Sequence, residues 1–293
     1  MEKKLLMIVN PVAGTKRLRP HLLDVISIFS AGGFAATVMV TGRRGDAAEF
    51  AAHGGDFDRI VCCGGDGTLN ETICGMLNAG VTIPLGYIPC GSTNDFASSM
   101  GIPTDIKKAA HAVANSMPLP LDVGKFDDSY FTYVASFGAF TAASYNAPQD
   151  VKNVFGHAAY VFEGIKDLGS IKPYHVKLVA DGREFSGEYV FGAVANSTSF
   201  GGIVRLKDEL VSLNDGMFEV LLIKMPKMLG DLSTIINSLT NSRFDNDRFE
   251  FFKASELVVT PAEPTAWSLD GEYKRTEGAV HICNLHGAVN FIK

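Results

Sequence analysis

Three short glycine-bearing loops, each following an apolar run, contain the residues with the clearest chemistry. The second loop reads Gly-Gly-Asp-Gly-Thr at 64–68, and the others span 10–14 and 91–95. Glycine lets backbone N–H groups approach an anion, and a helix that begins after the glycines adds the positive end of its dipole. Asp66 stands at the centre of the second loop, and a carboxylate repels phosphate unless a divalent cation lies between them. The loops therefore indicate a site for a Mg²⁺-bound nucleotide.

The phosphate-binding motifs of two other enzyme classes are missing from the sequence. It contains no GxxxxGK[ST] motif, which excludes a P-loop enzyme, and no GxGxxG after the first strand, which disfavours a Rossmann dehydrogenase. Without a Walker lysine, phosphate charge must be met by backbone amides, Mg²⁺ and basic residues near the first loop. Lys16, Arg17 and Arg19 are the candidates, although solvated surface residues are the commoner interpretation of such a group.

A second acidic motif, Asp270-Gly271-Glu272, lies near the carboxyl-terminal end of the sequence. Phosphoryl transfer needs an acceptor oxygen held in line and a base that takes its proton. A carboxylate on a glycine turn, such as Glu272, meets this need, and Asp270 could position the base or a Mg²⁺ ion. The alternative is an ordinary surface hairpin, and the same alternative holds for Asp215-Gly216.

Residues 1–122 alternate short apolar runs with amphipathic helical stretches, which is typical of a parallel α/β sheet. The predicted strands lie at 5–9, 37–40, 59–63 and 83–88. Because the carboxyl ends of parallel strands meet at one edge of a sheet, we expect the three glycine loops to form one site. A single loop of this kind is more often a plain tight turn. A last helix is predicted from a Thr104 cap to about Asn115.

From residue 123 onward the hydrophobic pattern changes to the period-2 alternation of strands. Asp181-Gly182 and Asp215-Gly216 supply hairpin turns. Residues 123–293 are therefore predicted to be mostly antiparallel β structure, interrupted by helices at 150–168 and 228–239. The fold class is α/β with two domains.

Composition limits the class of protein. The 293 residues include 46% hydrophobic and 20% charged residues, close to the globular average, which excludes a disordered or fibrous chain. The net charge of −6 argues against a nucleic-acid partner. The first apolar run is too short for a signal peptide or a membrane span. Five cysteines, two of them adjacent, are typical of reduced thiols, and a cytoplasmic location is predicted.

Five motifs in order along the chain resemble the diacylglycerol kinase catalytic family, in particular its soluble bacterial lipid kinases. They are Asn10-Pro11 with Gly14, Gly64 to Glu71, Gly91 to Ala97, Asn214-Asp215-Gly216, and Asp270-Gly271-Glu272. The resemblance implies ATP-dependent phosphorylation of a lipid hydroxyl, with diacylglycerol to phosphatidic acid as the default reaction. It also implies a fold like that of NAD kinases and diacylglycerol kinases. In that fold a three-layer α/β ATP-binding domain, here 1–122, and a β-sandwich domain, here 123–293, enclose the nucleotide cleft.

The resemblance further implies roles for matching residues. ATP contacts would be made by Asn10, Pro11, Val12, Ala13, Gly14, Thr41, Gly64, Gly65, Asp66, Gly67, Thr68, Leu69, Asn70, Glu71 and Ser92. Asp66 would act through Mg²⁺, and Glu272 would be the general base. Asp215, with the backbone carbonyls of Ser212 and Met217, would match a structural Mg²⁺ site remote from the chemistry. The charged segment from Arg205 to Val211 departs from the family pattern beside that site.

Partners follow from the same resemblance. A lipid kinase without a membrane span must meet its substrate by peripheral contact with the membrane surface, for which Arg43 and Arg44 are candidates alongside the basic residues near the first loop. Several aromatic residues could line an acyl-chain pocket, or, as is commoner, form ordinary core: Phe137, Phe140, Tyr145, Phe155, Tyr160 and Phe162. The sequence does not fix the oligomeric state and leaves a homodimer open.

Two other functions compete with the lipid kinase. An NAD kinase shares the Gly-Gly-Asp-Gly-Thr loop and a related architecture, but it carries a separate Asn-Glu motif well downstream that this sequence lacks. A nucleotide- or lipid-binding regulatory protein could keep the fold without turnover. The intact Asp66 and Glu272 argue against that alternative.

Overall fold

The computed structural model describes residues 2–14, 16–138, 171–200, 204–206 and 211–293. The chain forms two compact units, one made of Met1–Asp122 with His286–Lys293 and the other of Val123–Leu285. It therefore crosses between the units twice, whereas the sequence predicted only the first crossing. The predicted helix at 150–168 lies outside the described residues, as do Phe140, Tyr145, Phe155, Tyr160 and Phe162.

The first unit is built on a parallel sheet. Its strands are β1 (Lys3–Val9), β2 (Phe34–Val40), β3 (Arg59–Gly64) and β4 (Leu85–Pro89), and they lie in the order β4-β3-β1-β2. All neighbouring pairs are parallel, which confirms the predicted α/β class. Because β2 and β3 flank β1 on opposite sides, the strand order reverses at β1. A ligand crevice is expected outside the carboxyl ends of the strands at such a point.

Helices connect and cover these strands, and they are α1 (Leu22–Ala31), α2 (Asp46–Ala52), α3 (Asp66–Ala79), α4 (Asp95–Met100) and α5 (Ile106–Asn115). The residues of α1 that face the core include Val25 and Phe29, which lie on one face of the helix at positions i and i+4. The predicted Thr104 cap of α5 is wrong. Asp105 occupies the cap, and its Oδ1 accepts the N–H of Lys108 at 2.9 Å.

The second unit is mainly antiparallel. Its elements are β5 (Leu119–Phe126, which spans the first crossing), β6 (Ser129–Phe131), β7 (Val134–Gly138), β8 (Tyr174–Ala180), β9 (Arg183–Ala195), β10 (Ser199–Phe200), β11 (Val204–Arg205), β12 (Phe218–Lys224), α6 (Leu229–Asn241), β13 (Phe249–Ala254), β14 (Glu256–Pro261), β15 (Thr265–Leu269), β16 (Glu272–Thr276) and β17 (Val280–Ile292). The strands run in the order β16-β15-β7-β9-β8-β14-β17, with β12 beside β9 and β13 beside β12. The end of β17 pairs in parallel with β4 and so belongs to the first unit.

Aromatic side chains form much of the core of the second unit. The ring of Trp267 packs against Phe126 and Phe137, with centroids 5.0 and 4.9 Å apart. Phe137 is thus a core residue, the commoner of its two predicted roles. Asp181 and Gly182 join β8 to β9 with φ of 44° and 79°, which confirms the predicted hairpin turn. Within the described residues, no helix is both long enough and apolar enough to span a membrane.

Candidate active site

The three glycine loops meet at the carboxyl edge of the parallel sheet. A Cβ placed on Gly65 would lie 3.2 Å from the Cα of Gly91, and one placed on Gly14 would lie 2.6 Å from the carbonyl oxygen of Cys90. The N–H of Cys90 donates to the carbonyl of Gly64 at 2.7 Å. Glycine is therefore required at 14, which also has a φ of 52°, because a side chain there would collide with the neighbouring backbone.

Asn10 orders the first loop and joins it to the second. Its Nδ2 donates to Thr68 Oγ1 at 2.9 Å, and its Oδ1 accepts the N–H of Val12 at 3.1 Å. Thr41 lies beside the same strand end, where its N–H donates to the carbonyl of Val9 at 2.9 Å. Val12 is exposed and Ala13 is buried, so the loop presents backbone and Val12 outward while Ala13 packs into the core.

The second loop passes directly into α3, whose N-cap is Gly65. A Cβ on Gly67 would meet no atom within 4 Å, so the first turn of α3 borders open space. Leu69, predicted to contact the nucleotide, is fully buried and its N–H donates to the carbonyl of Gly65 at 3.0 Å. It therefore supports the loop from the core. Glu71, from the same predicted set, accepts the N–H of Gly45 at 3.0 Å.

Asp66 connects the second loop to the third. Its Oδ2 accepts the N–H of Asp95 at 3.1 Å, and its Oδ1 accepts the N–H of Phe96 at 3.2 Å. Both donors belong to the first turn of α4, so the carboxylate anchors the segment that follows Ser92. The side chain of Asp66 is half-buried.

Sequence reasoning did not assign roles to two residues that shape this edge. Asn94 is buried in the left-handed region with a φ of 54°. Its Oδ1 accepts the N–H of Gly91 at 2.8 Å, and its Nδ2 donates to the Gly91 carbonyl at 2.9 Å. Asparagine tolerates this conformation better than most residues, which was an available signal. The second residue is Tyr87, whose hydroxyl lies 3.2 Å from the carbonyl oxygen of Gly64. Its position in an apolar strand gave no sequence signal for this contact.

Ser92, predicted to contact the nucleotide, is exposed in the third loop.

An apolar pocket of about 210 Å³ adjoins the first loop. Most of its lining is apolar, and two basic residues, Lys16 and Arg19, also border it. The lining residues are Val9, Asn10, Pro11, Ala13, Lys16, Leu18, Arg19, Leu22 and Val40. The pocket therefore combines an apolar lining with two basic residues at its border.

In the second unit, Asp270 and Gly271 form the turn between β15 and β16 with φ of 49° and 87°. The Asp270 carboxylate is buried and accepts the N–H groups of Thr132, Tyr133 and Val134 at 2.6–3.0 Å, together with the Thr132 hydroxyl at 2.8 Å. Burial raises the pKa of this carboxyl, and these donors counteract the rise. Glu272 is exposed at the start of β16.

Asp215, the predicted ligand of a structural Mg²⁺, already has protein partners on both oxygens. Its Oδ1 accepts the N–H of Met217 at 3.1 Å, and its Oδ2 lies 2.8 Å from Lys253 Nζ. Ser212 donates its hydroxyl to Asn214. Across the described parts of the chain, no three acidic, histidine or cysteine side chains gather as a metal-binding group. These contacts alone do not make a metal site, and the assignment of this loop stays a prediction.

Glu219 lies behind this loop and is fully buried. Its Oε1 is 3.2 Å from Lys253 Nζ. Burial raises the pKa of Glu219 to about 7, and the neighbouring ammonium limits the rise. Lys253 therefore forms ion pairs with the carboxylates of both Asp215 and Glu219.

Comparison with known proteins agrees with this geometry. Residues 4–126 match the diacylglycerol kinase catalytic domain, and residues 134–289 match the YegS C-terminal NAD kinase beta sandwich-like domain. A diacylglycerol kinase of Bacillus subtilis (strain 168) is 34% identical over 92% of this chain and 90% of its own length. One from Staphylococcus saprophyticus is 29% identical over 93% of this chain and 90% of its own.

A solved structure extends the comparison to three dimensions. A protein of Bacillus anthracis str. Sterne, described as a candidate diacylglycerol kinase, superposes with a TM-score of 0.84 at 26% identity, covering 99% of this chain and 96% of its own. The α/β class and the antiparallel β-sandwich domain predicted from the sequence are therefore confirmed. The chain belongs to the diacylglycerol kinase family of ATP-dependent lipid kinases.

Proposed function

We propose that this protein transfers the γ-phosphoryl group of Mg²⁺-ATP to the free hydroxyl of diacylglycerol, forming phosphatidic acid. The observation that carries the proposal is the backbone contact among the three glycine loops at one sheet edge, where Gly14 and Gly65 admit no side chain without displacing a neighbouring loop. Backbone N–H groups and the positive end of the α3 dipole would bind the phosphate groups there. The relatives named above are diacylglycerol kinases.

ATP would lie along this edge, with its base in the apolar pocket and its phosphates over the glycine loops. Lys16 and Arg19 border the pocket and would face the phosphates. Mg²⁺ bound with ATP neutralises charge on the transferring group. Asp66 is the carboxylate of the loops suited to face that ion, because it lies half-buried at the junction of the second and third loops and its negative charge attracts a divalent cation.

Glu272 would take the proton of the lipid hydroxyl as the hydroxyl oxygen bonds to the γ-phosphorus and the bond to the β-phosphate oxygen breaks, releasing ADP. Asp270 would act as a positioning residue. Its carboxylate holds the start of β7 through the N–H groups of Tyr133 and Val134, and this bonding fixes the turn that carries Glu272. The predicted role of Asp270 is thus to hold the base in place.

The lipid substrate requires contact with a membrane surface, and we propose that the contact is peripheral. Arg43, one of the predicted basic residues, is already paired with Asp46 at 3.0 Å and lies 3.7 Å from Glu49. Arg17 donates to the carbonyl of Thr104 at 3.2 Å. These pairings favour a weak, local electrostatic contribution over a broad basic surface.

A lipid-panel kinase assay tests the function. Labelled ATP, Mg²⁺ and purified protein are incubated with diacylglycerol, a sphingoid base or a polyprenol in mixed micelles, and with NAD in buffer. We expect labelled phosphatidic acid to be the main product. Phosphorylation of another lipid would correct the substrate, transfer to NAD would replace the lipid kinase by an NAD kinase, and ATP binding without any transfer would favour the regulatory alternative.

A further inference from the structure

Tyr87 lies in the middle of β4 with its side chain fully buried. Its hydroxyl is 3.2 Å from the carbonyl oxygen of Gly64 and 3.4 Å from Oδ1 of Asn94. The ring packs edge-on against Phe96 of α4, with centroids 6.1 Å apart. A buried hydroxyl must find a hydrogen-bond acceptor, and the two acceptors within reach belong to two different glycine loops.

Each acceptor has a place in the geometry of its own loop. The carbonyl of Gly64 also accepts the N–H of Cys90 at 2.7 Å, the backbone bond that joins β3 to the start of the third loop. The side chain of Asn94 closes the third loop through its two bonds to Gly91. The hydroxyl of Tyr87 has one proton, which a three-centre bond shares between these acceptors, so that it contacts both the backbone of the second loop and the side chain that keeps the third loop closed.

The two loops have little freedom in their separation. The Cα of Gly65 would lie 2.7 Å from a Cβ placed on Gly91, so their backbones are in van der Waals contact. A shift of either loop by a fraction of an ångström alters the spacing between the backbone N–H groups of the two loops. Phosphate binding by backbone N–H groups depends on that spacing.

We propose that Tyr87 is a positioning residue that sets the separation of the second and third glycine loops and thereby the affinity for the phosphates of ATP. The link to ATP rests on the proposed function, whereas the tie between the loops stands independently of it. Tyr87 is buried beneath the loops and acts through Gly64 and Asn94. Contacts that bind substrate and transition state alike change KM and leave kcat almost unaltered, so the effect should appear in the KM for ATP.

The test uses Tyr87→Phe, which removes the hydroxyl and keeps the ring that packs on Phe96. The matched control is Tyr189→Phe, because Tyr189 is an equally buried tyrosine in the second unit. We expect Tyr87→Phe to raise the KM for ATP about tenfold, equivalent to about 1.4 kcal/mol, with kcat within about twofold and the lipid KM unchanged. The control should keep the KM for ATP of the parent protein. An unchanged KM for ATP in Tyr87→Phe would overturn the proposed link to nucleotide affinity.

Amide hydrogen exchange without nucleotide separates this proposal from the function on which it rests. Peptides covering 64–68 and 91–95 should exchange faster in Tyr87→Phe than in the parent protein, and Tyr189→Phe should leave both unchanged. Equal exchange in the parent and Tyr87→Phe would overturn the tie between the loops. A parent protein that phosphorylates no lipid would overturn the proposed function, and the exchange rates would still decide whether Tyr87 holds the loops together.

Discussion

Replacing Asp66 by asparagine removes a charge at the junction of the second and third glycine loops while keeping the size of the side chain. The carboxylate accepts N–H groups from Asp95 and Phe96. The amide oxygen of asparagine can retain one of these bonds, but its NH₂ group would face the other donor. A hydrogen bond to a charged acceptor contributes about 1.5–3 kcal/mol, so we expect a loss of about 2 kcal/mol.

Two measurements follow this change. For domains of about 150–250 residues, 1 kcal/mol corresponds to about 2–4 °C in Tm, and on that scale thermal unfolding of Asp66→Asn should occur about 4–8 °C below that of the parent. Calorimetric titration with ATP, with and without Mg²⁺, should show that the gain in affinity from Mg²⁺ is lost. Asp105→Asn is the matched control, because Asp105 also accepts an N–H at a helix start in the same unit and asparagine caps helices about as well as aspartate.

The two measurements can refute the two roles of Asp66 separately. An unchanged Tm would contradict the anchoring of α4 by the carboxylate. A variant that still gains ATP affinity from Mg²⁺ would contradict the role of Asp66 toward the metal. If Asp105→Asn lowers the Tm as much as Asp66→Asn, the bonds to Asp95 and Phe96 are no more than an ordinary helix cap.

The remaining predictions concern two glutamates of the second unit. Glu272→Gln should leave Tm and ATP binding unchanged and lower kcat by at least about 100-fold, the usual contribution of a general base. The control is Glu263→Gln, because Glu263 is also an exposed glutamate of the second unit. Retained turnover in Glu272→Gln would mean that the base lies elsewhere. Burial raises the pKa of Glu219 from 4.5 to about 7. Between these two pH values the folded state binds more protons than the unfolded state, so the free energy of unfolding falls as the pH rises. At 1.36 kcal/mol per pKa unit, Glu219→Gln should remove up to about 3 kcal/mol of this loss. Urea unfolding between pH 5 and 8 should therefore show a smaller change in the free energy of unfolding for Glu219→Gln than for the parent protein. An equal dependence on pH in the two proteins would show that Glu219 does not titrate as inferred.

The convergence of the three glycine loops could be predicted because it depends on local patterns. Each loop follows a short apolar run, and runs separated by helical stretches predict parallel strands whose carboxyl ends share an edge. Element boundaries were harder to place. Thr104 and Asp105 are both good helix caps by type, and the sequence pattern does not decide between them, since the choice depends on where α5 docks.

The roles of single polar side chains could not be predicted in the same way. Asp66 bonds to N–H groups 29 and 30 residues away, and Asp270 accepts from Thr132, 138 residues away. A carboxylate near a glycine suggests metal or base chemistry from sequence alone. Whether it also anchors backbone depends on which donors the fold brings to it. Leu69 illustrates the same limit, because only the packing of α3 directs it into the core.

The sequence by itself determined the two-part organisation, the class of the sheet and the edge at which phosphate chemistry is expected, because periodicity and glycine spacing act over a few residues. Only the tertiary structure decided which side chains hold the glycine loops in place. Asp66 and the hydroxyl of Tyr87 bond to groups on other loops, and Asn94 closes its own loop by bonding to Gly91. A buried polar group needs a partner, but the partner's identity is fixed only when distant segments pack together.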